Sequence, residues 1–370
     1  MNVASAALHG RVRAFIAATA AGRAPAEDFD TLALAVAAYQ AERVPPYARL
    51  LAQAKVDPRR APTVRALPAV PTDAFRFARI AAHPPSDDVA TFRTSGTSGG
   101  ARGEHPFATI ETYELGALAW GRWALFFDDA TRPVAAILAP PRAADGESSL
   151  EFMMDLFARR FARRAHHVGR AGGAPVDAGA LASACEAASR EGAPVVVMGT
   201  SFAFVHLLDA LAGARLPLAA NSVVMHTGGY KGRSREVAPD VLRRDIAATF
   251  GIDPRAVVGE YGMTELSSQL YEPAFRALRG LPPSSASHGL FVPPPWLRVA
   301  AADPDTLAPL PDGETGILRF EDLANVDSAI AVQTADLGRC TERGIELFGR
   351  APGAPPRGCS LAIEEIAAAR

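Results

Sequence analysis

Lysine is almost missing from this chain: of 38 basic residues only Lys55 and Lys231 are lysines. With 40 acidic residues the net charge is −2, and no basic block stands out. Nucleic acid is therefore not an expected partner, and neither is a charged membrane surface. No uninterrupted apolar stretch reaches the ~18 residues that a membrane-spanning helix needs, so membrane insertion is not expected. The first residues carry early charges and no long apolar core, unlike a signal peptide. Cysteine is scarce too: Cys185, Cys340 and Cys359 have no paired spacing, which suits a reducing cytoplasm better than a disulfide framework. The eight histidines form no ligand cluster, and His166 and His167, expected on a helix, would point apart there. No structural zinc site is expected.

What remains is a chain of 370 residues, 49% apolar and 21% charged, with the composition of a soluble globular protein. That length allows one large α/β domain or two ordinary ones. Residues 1–60 read as Ala-rich amphipathic helices interrupted at Pro45-Pro46. Short apolar runs then alternate with helical segments. Strands are expected at 133–140, 194–199, 222–226 and 256–258, and helices at 177–190, 202–211 and 239–250. That alternation predicts a largely parallel sheet covered by helices on both faces. From about Pro282 the texture turns to proline-rich loops and short β-like pieces at 296–299, 316–320, 330–332 and 345–348. A small β-rich subdomain is expected there. The expected division is a core over 1–348 and a short C-terminal segment over 349–370.

Each polar or glycine-rich motif follows the carboxyl end of a predicted strand, where open α/β sheets bind ligands. The most informative is Glu260-Tyr261-Gly262-Met263-Thr264-Glu265. Its hydroxyl at Thr264 can hydrogen-bond an α-phosphate, and its carboxylate at Glu265 is a hard ligand for Mg²⁺ carried by a nucleotide. The bland alternative is an ordinary turn. Upstream, Thr94-Ser95-Gly96-Thr97-Ser98-Gly99-Gly100-Ala101-Arg102-Gly103 offers glycines for close backbone approach to phosphate, hydroxyl donors, and a cation at Arg102. It reads equally as a surface loop. Gly96 to Gly100 also fits the Gly-x-Ser-x-Gly elbow of serine hydrolases, with Ser98 as nucleophile and His288 available on paper, although the strand before it is weak. Lys231, in the loop Thr227-Gly228-Gly229-Tyr230-Lys231-Gly232, is a phosphate or carboxylate contact or simply an exposed lysine. Asp336 is a ligand-holding carboxylate or a turn residue. Cys359 is an inert buried thiol, or one activated beside Arg357 in a flexible segment.

Together these residues resemble the acyl-adenylate-forming superfamily. Tyr261 to Glu265 matches its Tyr-Gly-x-Thr-Glu signature, and Thr94 to Gly103 its Ser/Thr/Gly-rich phosphate loop. Val332 to Gly338 resembles its Thr-Gly-Asp motif, with Ala335 in the glycine's place and Asp336 as the ribose-binding carboxylate. Gly349-Arg350 and Arg357-Gly358 resemble its hinge. Within the superfamily the chain is most similar to the acyl-protein synthetase, or long-chain-fatty-acid–luciferin-component ligase, family. Thr227 to Gly232, Tyr261 to Gln269 and the ending Arg357-Gly358-Cys359-Ser360-Leu361 carry that likeness. The resemblance implies the superfamily's N-terminal-domain α/β fold with no full C-terminal domain, since the sequence stops at Arg370 and no lysine follows Lys231. It implies ATP and Mg²⁺ as cofactors, and a site built from Thr94, Ser95, Gly96, Thr97, Ser98, Gly99, Arg102, Gly228, Gly229, Tyr261, Gly262, Asp336 and Arg350. Thr264, Glu265 and Lys231 would serve the chemistry. Cys359 would take the acyl group before a partner reductase does.

The expected function is thus ATP-dependent activation of a carboxylic acid, a fatty acid by family, with transfer to a thiol in the cytoplasm. A ligase that uses coenzyme A or a carrier protein as acceptor differs only in the last step. A serine hydrolase and a non-catalytic nucleotide- or acyl-binding protein are the alternatives of other classes.

Overall fold

A computed structural model describes the chain apart from residues 96–100, 129–130, 144, 170–175, 229–236, 284–286 and 352–370. The N-terminal region forms α1 (Val3–Ala20), α2 (Phe29–Arg43) and α3 (Pro45–Ala54). Pro45 and Pro46 break the helical run by starting α3, where a missing N–H costs nothing. After β1 (Val70–Pro71) and the one-turn α4 (Ala74–Phe77), β2 (Ala90–Arg93) and β3 (Glu104–Phe107) form an antiparallel pair.

The centre of the molecule is a six-stranded sheet built by alternation. Its elements are α5 (Glu111–Ala124), β4 (Val134–Ile137), α6 (Ser149–Phe161), β5 (Arg164–His167), α7 (Ala178–Arg190), β6 (Val195–Thr200), α8 (Ser201–Leu211), β7 (Val223–Thr227), α9 (Pro239–Phe250), β8 (Val257–Tyr261) and β9 (Leu270–Tyr271). The strand order is β5-β4-β6-β7-β8-β9, parallel from β5 to β8, with β9 antiparallel at the edge. The pleat divides the side chains between two apolar clusters. Val196, Met198, Met225 and Val258 face one, whereas Val195, Val197, Val224 and Val257 face the other, under α7, α8 and α9. Burial on both faces is why these strands read as continuous apolar runs. His166 and His167 lie on the edge strand β5, where a helix was expected; neighbours on a strand likewise point to opposite faces.

After α10 (Ala274–Leu278) the chain builds a second sheet from β10 (Leu290–Phe291), β11 (Leu297–Ala302), β12 (Thr315–Asp322), β13 (Ala331–Thr341) and β14 (Gly344–Arg350). Its order is β10-β14-β13-β12-β11, antiparallel, and β1 joins β13 in parallel. This sheet therefore recruits a strand from residue 70. Its Leu318, Phe320 and Val332 share the first apolar cluster with α1, α2 and α5. Among the described residues the β-rich part has only a small cluster of its own, around Ala302 and Ile317. Polar ties reinforce the union: Asp327, between β12 and β13, accepts from Ser5 Oγ at 2.8 Å and Tyr39 Oη at 3.0 Å, and meets His9 Nε2 at 3.0 Å.

Candidate nucleotide and acyl-transfer site

β8 runs to Tyr261, three residues beyond the predicted strand, so Glu260 and Tyr261 are strand residues rather than part of the turn. The Tyr261 hydroxyl donates to Asp336 Oδ2 at 2.7 Å, and its ring stacks on Phe320 of β12 at 5.7 Å between centroids. Asp336 sits inside β13, not in a turn, directly across from Arg350 on β14, whose Nε donates to Asp336 Oδ1 at 3.0 Å. A tyrosine from the parallel sheet thus meets an aspartate and an arginine from the antiparallel one. Burial works against the Arg350 charge, but Asp336, Asp73 and Glu265 together raise its pKa above the usual value. Tyr261 is pushed well above the normal phenol value, by burial first and then by Asp336 and Glu265. The carboxylates of Glu265 and Asp336 are therefore neighbours of the same two groups.

The backbone between Thr264 and Ser268 is held from both sides. His105 on β3 donates Nδ1–H to the Thr264 carbonyl at 2.8 Å. Burial lowers its pKa to about 4, which keeps the ring neutral near pH 7. From the turn after β12, Asn325 Nδ2 donates to the Glu265 carbonyl at 2.9 Å, and Asn325 Oδ1 accepts from Ser267 Oγ at 2.7 Å. Asp322 accepts from the Ser267 N–H at 3.0 Å and from Ser268 Oγ at 2.8 Å. Apart from Thr264, which is half-buried, every residue in this set is buried, so its pairing is obligatory. Sequence reasoning missed His105, Asp322 and Asn325. A polar string amid apolar neighbours (Asp322, Asn325, Asp327 and Ser328) was the available signal.

Gly262 has a steric reason to be glycine: a Cβ there would sit 2.6 Å from Glu260 Oε1. Glu260 itself is buried and bonded to the hydroxyl of Thr227, its register partner on β7. Burial pushes its carboxyl up to about 7. Gly228, next after β7, has φ of +73°, a conformation that favours glycine. Gly229 and Lys231 lie outside the described residues.

The Ser/Thr/Gly loop joins two antiparallel strands, and its neck is closed by Thr94. The Thr94 N–H donates to the Gly103 carbonyl, and the Gly103 N–H donates to Thr94 Oγ1, both at 2.9 Å. Arg102 donates Nε to the Thr94 carbonyl and Nη1 to Glu147 Oε2, both at 2.6 Å. The guanidinium is thus committed to the neck and countered by a carboxylate that sequence reading missed. Ser95 is exposed beside it, and Gly96, Thr97, Ser98 and Gly99 lie outside the described residues. A nucleophile elbow requires a strand running into a helix, whereas here β2 is followed by β3. His288 is exposed in the turn before β10. The serine hydrolase alternative loses its structural premise.

Gly349 and Arg350, read as hinge residues, belong to β14, and pairing continues through the Ala351 N–H to the Ala335 carbonyl at 2.9 Å. Cys359 lies outside the described residues. Cys185 and Cys340 are buried, and burial pushes both thiols up to about 11. Among the described residues no helix is long and apolar enough to cross a membrane.

Comparison with known proteins agrees with this architecture. The profile of the family described as "Acyl-protein synthetase, LuxE" matches residues 27–367, and the chain belongs to that family. A long-chain-fatty-acid–luciferin-component ligase of Vibrio harveyi is 22% identical over 156 residues, covering 40% of this chain and 38% of the relative. The chain thus matches well under half the length of that curated relative. A 2-hydroxyisobutyryl-CoA ligase, in an open conformation with 2-HIB-AMP and CoA, superposes with a TM-score of 0.62 at 16% identity, over 87% of this chain and 69% of the other. ATP-bound MatB from Rhodopseudomonas palustris gives a TM-score of 0.51 at 19% identity, over 72% of this chain and 49% of the other. The fold is that of the acyl-adenylate-forming enzymes.

Proposed function

We propose that this member of the acyl-protein synthetase family activates a carboxylic acid with ATP as an acyl-adenylate and passes the acyl group to a thiol. A long-chain fatty acid is the substrate that the family name favours, and Cys359 is the acceptor. The observation that carries the reading is the convergence of Tyr261, Glu265, Asp336 and Arg350 at the carboxyl end of β8. Asp336 uses one lone pair on each oxygen for Tyr261 and Arg350, and a carboxylate offers about four acceptor sites. Room remains for both hydroxyls of a ribose, so the donor set fits a nucleotide.

Among the described residues no group of three or more His, Cys, Asp or Glu gathers to hold a metal. Glu265 fits a cation whose other ligands arrive with the nucleotide. Mg²⁺ bound there would neutralise phosphate charge as pyrophosphate departs. The Thr264 hydroxyl would donate to the α-phosphate. His105 and Asn325 hold the backbone on either side, so the donor needs no reorganisation as charge builds. Thr94 and Arg102 fix the neck of the phosphate loop, and backbone N–H groups and hydroxyls from Ser95 to Gly99 would meet the phosphates. Lys231, in the loop that begins at Gly228 and Gly229, would supply a mobile cation.

Cys185 and Cys340, with thiols raised by burial, are poor nucleophiles at neutral pH. That supports Cys359 as the acceptor, in a segment rich in proline and glycine and beside Arg357. Reacting within one chain gives the thiol a high effective concentration. A reductase, carrier protein or coenzyme A would then receive the acyl group.

An ATP–pyrophosphate exchange screen over fatty, aryl and amino acids tests the first step; exchange with none of them removes the reading. Cys359→Ser should keep exchange and lose a hydroxylamine-sensitive acyl label, because adenylation precedes thiol capture. An acyl group on Cys185 or Cys340 would move the acceptor. Absence of label from every cysteine would make coenzyme A or a carrier protein the acceptor.

A further inference from the structure

We propose that a cleft at the amino ends of β4, β6 and β7 binds an anionic amphiphile, a single carboxylate on an apolar body, at a site separate from the candidate nucleotide site.

The nucleotide site lies where β7 and β8 end, and the cleft lies at the opposite edge of the same sheet. It is lined by Pro133, which precedes β4, by Val195, the first residue of β6, and by Val223, the first residue of β7. The length of β7 puts roughly 15 Å between the two places, at ~3.3 Å per residue. The cleft holds about 360 Å³, the size of a small-molecule pocket. Its walls are already bonded. The Val134 N–H donates to the Pro194 carbonyl and the Arg163 N–H to the Pro133 carbonyl, both at 2.9 Å. The Val195 N–H donates to Ser222 Oγ at 2.9 Å. The strand starts therefore ask nothing of a ligand, and recognition falls to side chains.

Those side chains divide into a floor and a rim. Phe126 stacks on Phe161 with centroids 4.4 Å apart, and Phe127 tilts against Phe275 at 5.2 Å. All four rings line the cleft, so an apolar body placed there leaves water for aromatic surface. The rim carries Arg132, Arg160 and Arg279, with Asp128 as the one acid among the described lining residues. Asp128 accepts from Thr131 Oγ1 at 2.8 Å.

The arginines are positioned without being used up. Arg279 Nη1 donates to Asn221 Oδ1, which ties the end of α10 to the loop before β7. Arg132 donates Nε to the Phe161 carbonyl and Nη2 to the Arg160 carbonyl, both at 3.4 Å, as a cation does at a helix C-terminus. Arg160 lies over the Phe161 ring at 5.7 Å, which sets a charge directly beside the floor. Arg276 shows the contrast. It spends Nη1 on the Trp123 carbonyl at 2.6 Å and Nε on the Pro282 carbonyl at 2.8 Å, and lies over the Trp123 and Phe127 rings. The three rim guanidiniums keep donors to spare, and a carboxylate head can take charge-assisted hydrogen bonds from them. A simple inorganic anion would use only the rim, and an alcohol of the same chain length only the floor.

Octanoate, octanol and inorganic phosphate should be titrated calorimetrically into the full-length protein, and an octanoate with a terminal diazirine should be photocrosslinked and mapped by mass spectrometry. Octanoate should bind at least about tenfold more tightly than octanol or phosphate, the effect of one added hydrogen bond to a charged group. The label should reach Phe126, Phe161 or Phe275. Arg160→Glu combined with Arg279→Glu should remove that label while unfolding stays unchanged, since both residues are exposed. The pair Arg160→Gln and Arg279→Gln, which removes charge at nearly constant size, serves if charge reversal disturbs the fold. Label confined to the strand ends near Thr227 and Tyr261, or label at the cleft that survives both double variants, would overturn the proposal. Equal affinity for octanol or for phosphate would overturn it as well.

Discussion

The two sheets contribute to one site in opposite ways. The parallel sheet supplies strand ends: Gly228 follows β7, and Tyr261 to Glu265 follow the body of β8. Its central strands are mostly buried aliphatics that need no polar partner, Thr227 and Glu260 excepted. The antiparallel sheet supplies strand interiors and a turn: Asp336 lies mid-strand in β13, Arg350 lies across from it on β14, and Asp322 to Asn325 grip the backbone of the motif. Its buried polar groups must be matched one by one. A motif carried by the first sheet is therefore positioned by the second, and damage to the second should reach the chemistry without touching a reacting group.

Five substitutions test that division, in falling order of expected effect. Asp322→Ala should be the most destructive, because it strands the Ser267 N–H, the Ser268 hydroxyl and the Ala324 N–H together. A loss on the order of 3 kcal/mol is expected at about 1 kcal/mol or more for each buried group, read by denaturant unfolding. A change below ~0.5 kcal/mol, within the range of an ordinary surface substitution, would mean that the second sheet does not hold the motif.

Glu265→Gln should lower pyrophosphate exchange about a hundredfold or more, as deletion of one strong electrostatic contact does, with unfolding unchanged. Unaltered exchange would remove Glu265 from the site.

Glu260→Gln probes a buried carboxylate of the parallel sheet through pH. Burial raises the folded-state pKa from 4.5 to about 7, so the folded protein binds the proton more tightly than the unfolded chain. That contribution is favourable at low pH and is lost as pH rises through about 4.5 to 7. The glutamine variant should therefore be more stable than wild type at pH 8 by about 3 kcal/mol, at 1.36 kcal/mol per unit, and the gap should close below pH ~4.5. A gap that does not vary with pH would show that Glu260 does not titrate there.

Asp336→Ala should have a milder effect, raising the KM for ATP about tenfold with little change in kcat, as expected for loss of ribose binding. Tyr261→Phe should give a smaller rise in the same direction, by removing one hydrogen bond to that carboxylate. Unchanged ATP affinity in both would separate the tyrosine–aspartate pair from the nucleotide.

How much of this was legible follows the same division. The strands at 194–199 and 222–226 and the helices at 177–190 and 239–250 were readable because each is an uninterrupted apolar run or a capped periodic segment. Asp336 was found by its resemblance to a motif, but its place inside a strand was not, since Ala335-Asp336-Leu337 has no local strand signature. The β-like piece expected at 345–348 lies within β14, but the hinge reading missed that the strand runs on through Gly349-Arg350, since pairing with Asp336 and Leu337 is set by register between strands, not by local composition. His105, Asp322, Asn325 and Glu147 were missed because a buried polar residue and an exposed one look alike in sequence.

The amino-acid order by itself determined the alternation of strands and helices and the membership of an adenylate-forming family, since periodicity and contiguous motifs are local properties. Only the tertiary structure decided that Tyr261 bonds Asp336 across 75 residues, that Arg102 is countered by Glu147, and that Glu260 bonds Thr227 on the neighbouring strand. Such pairings depend on which groups are removed from water together. Burial, which makes each polar partner obligatory, exists only once the two sheets have packed.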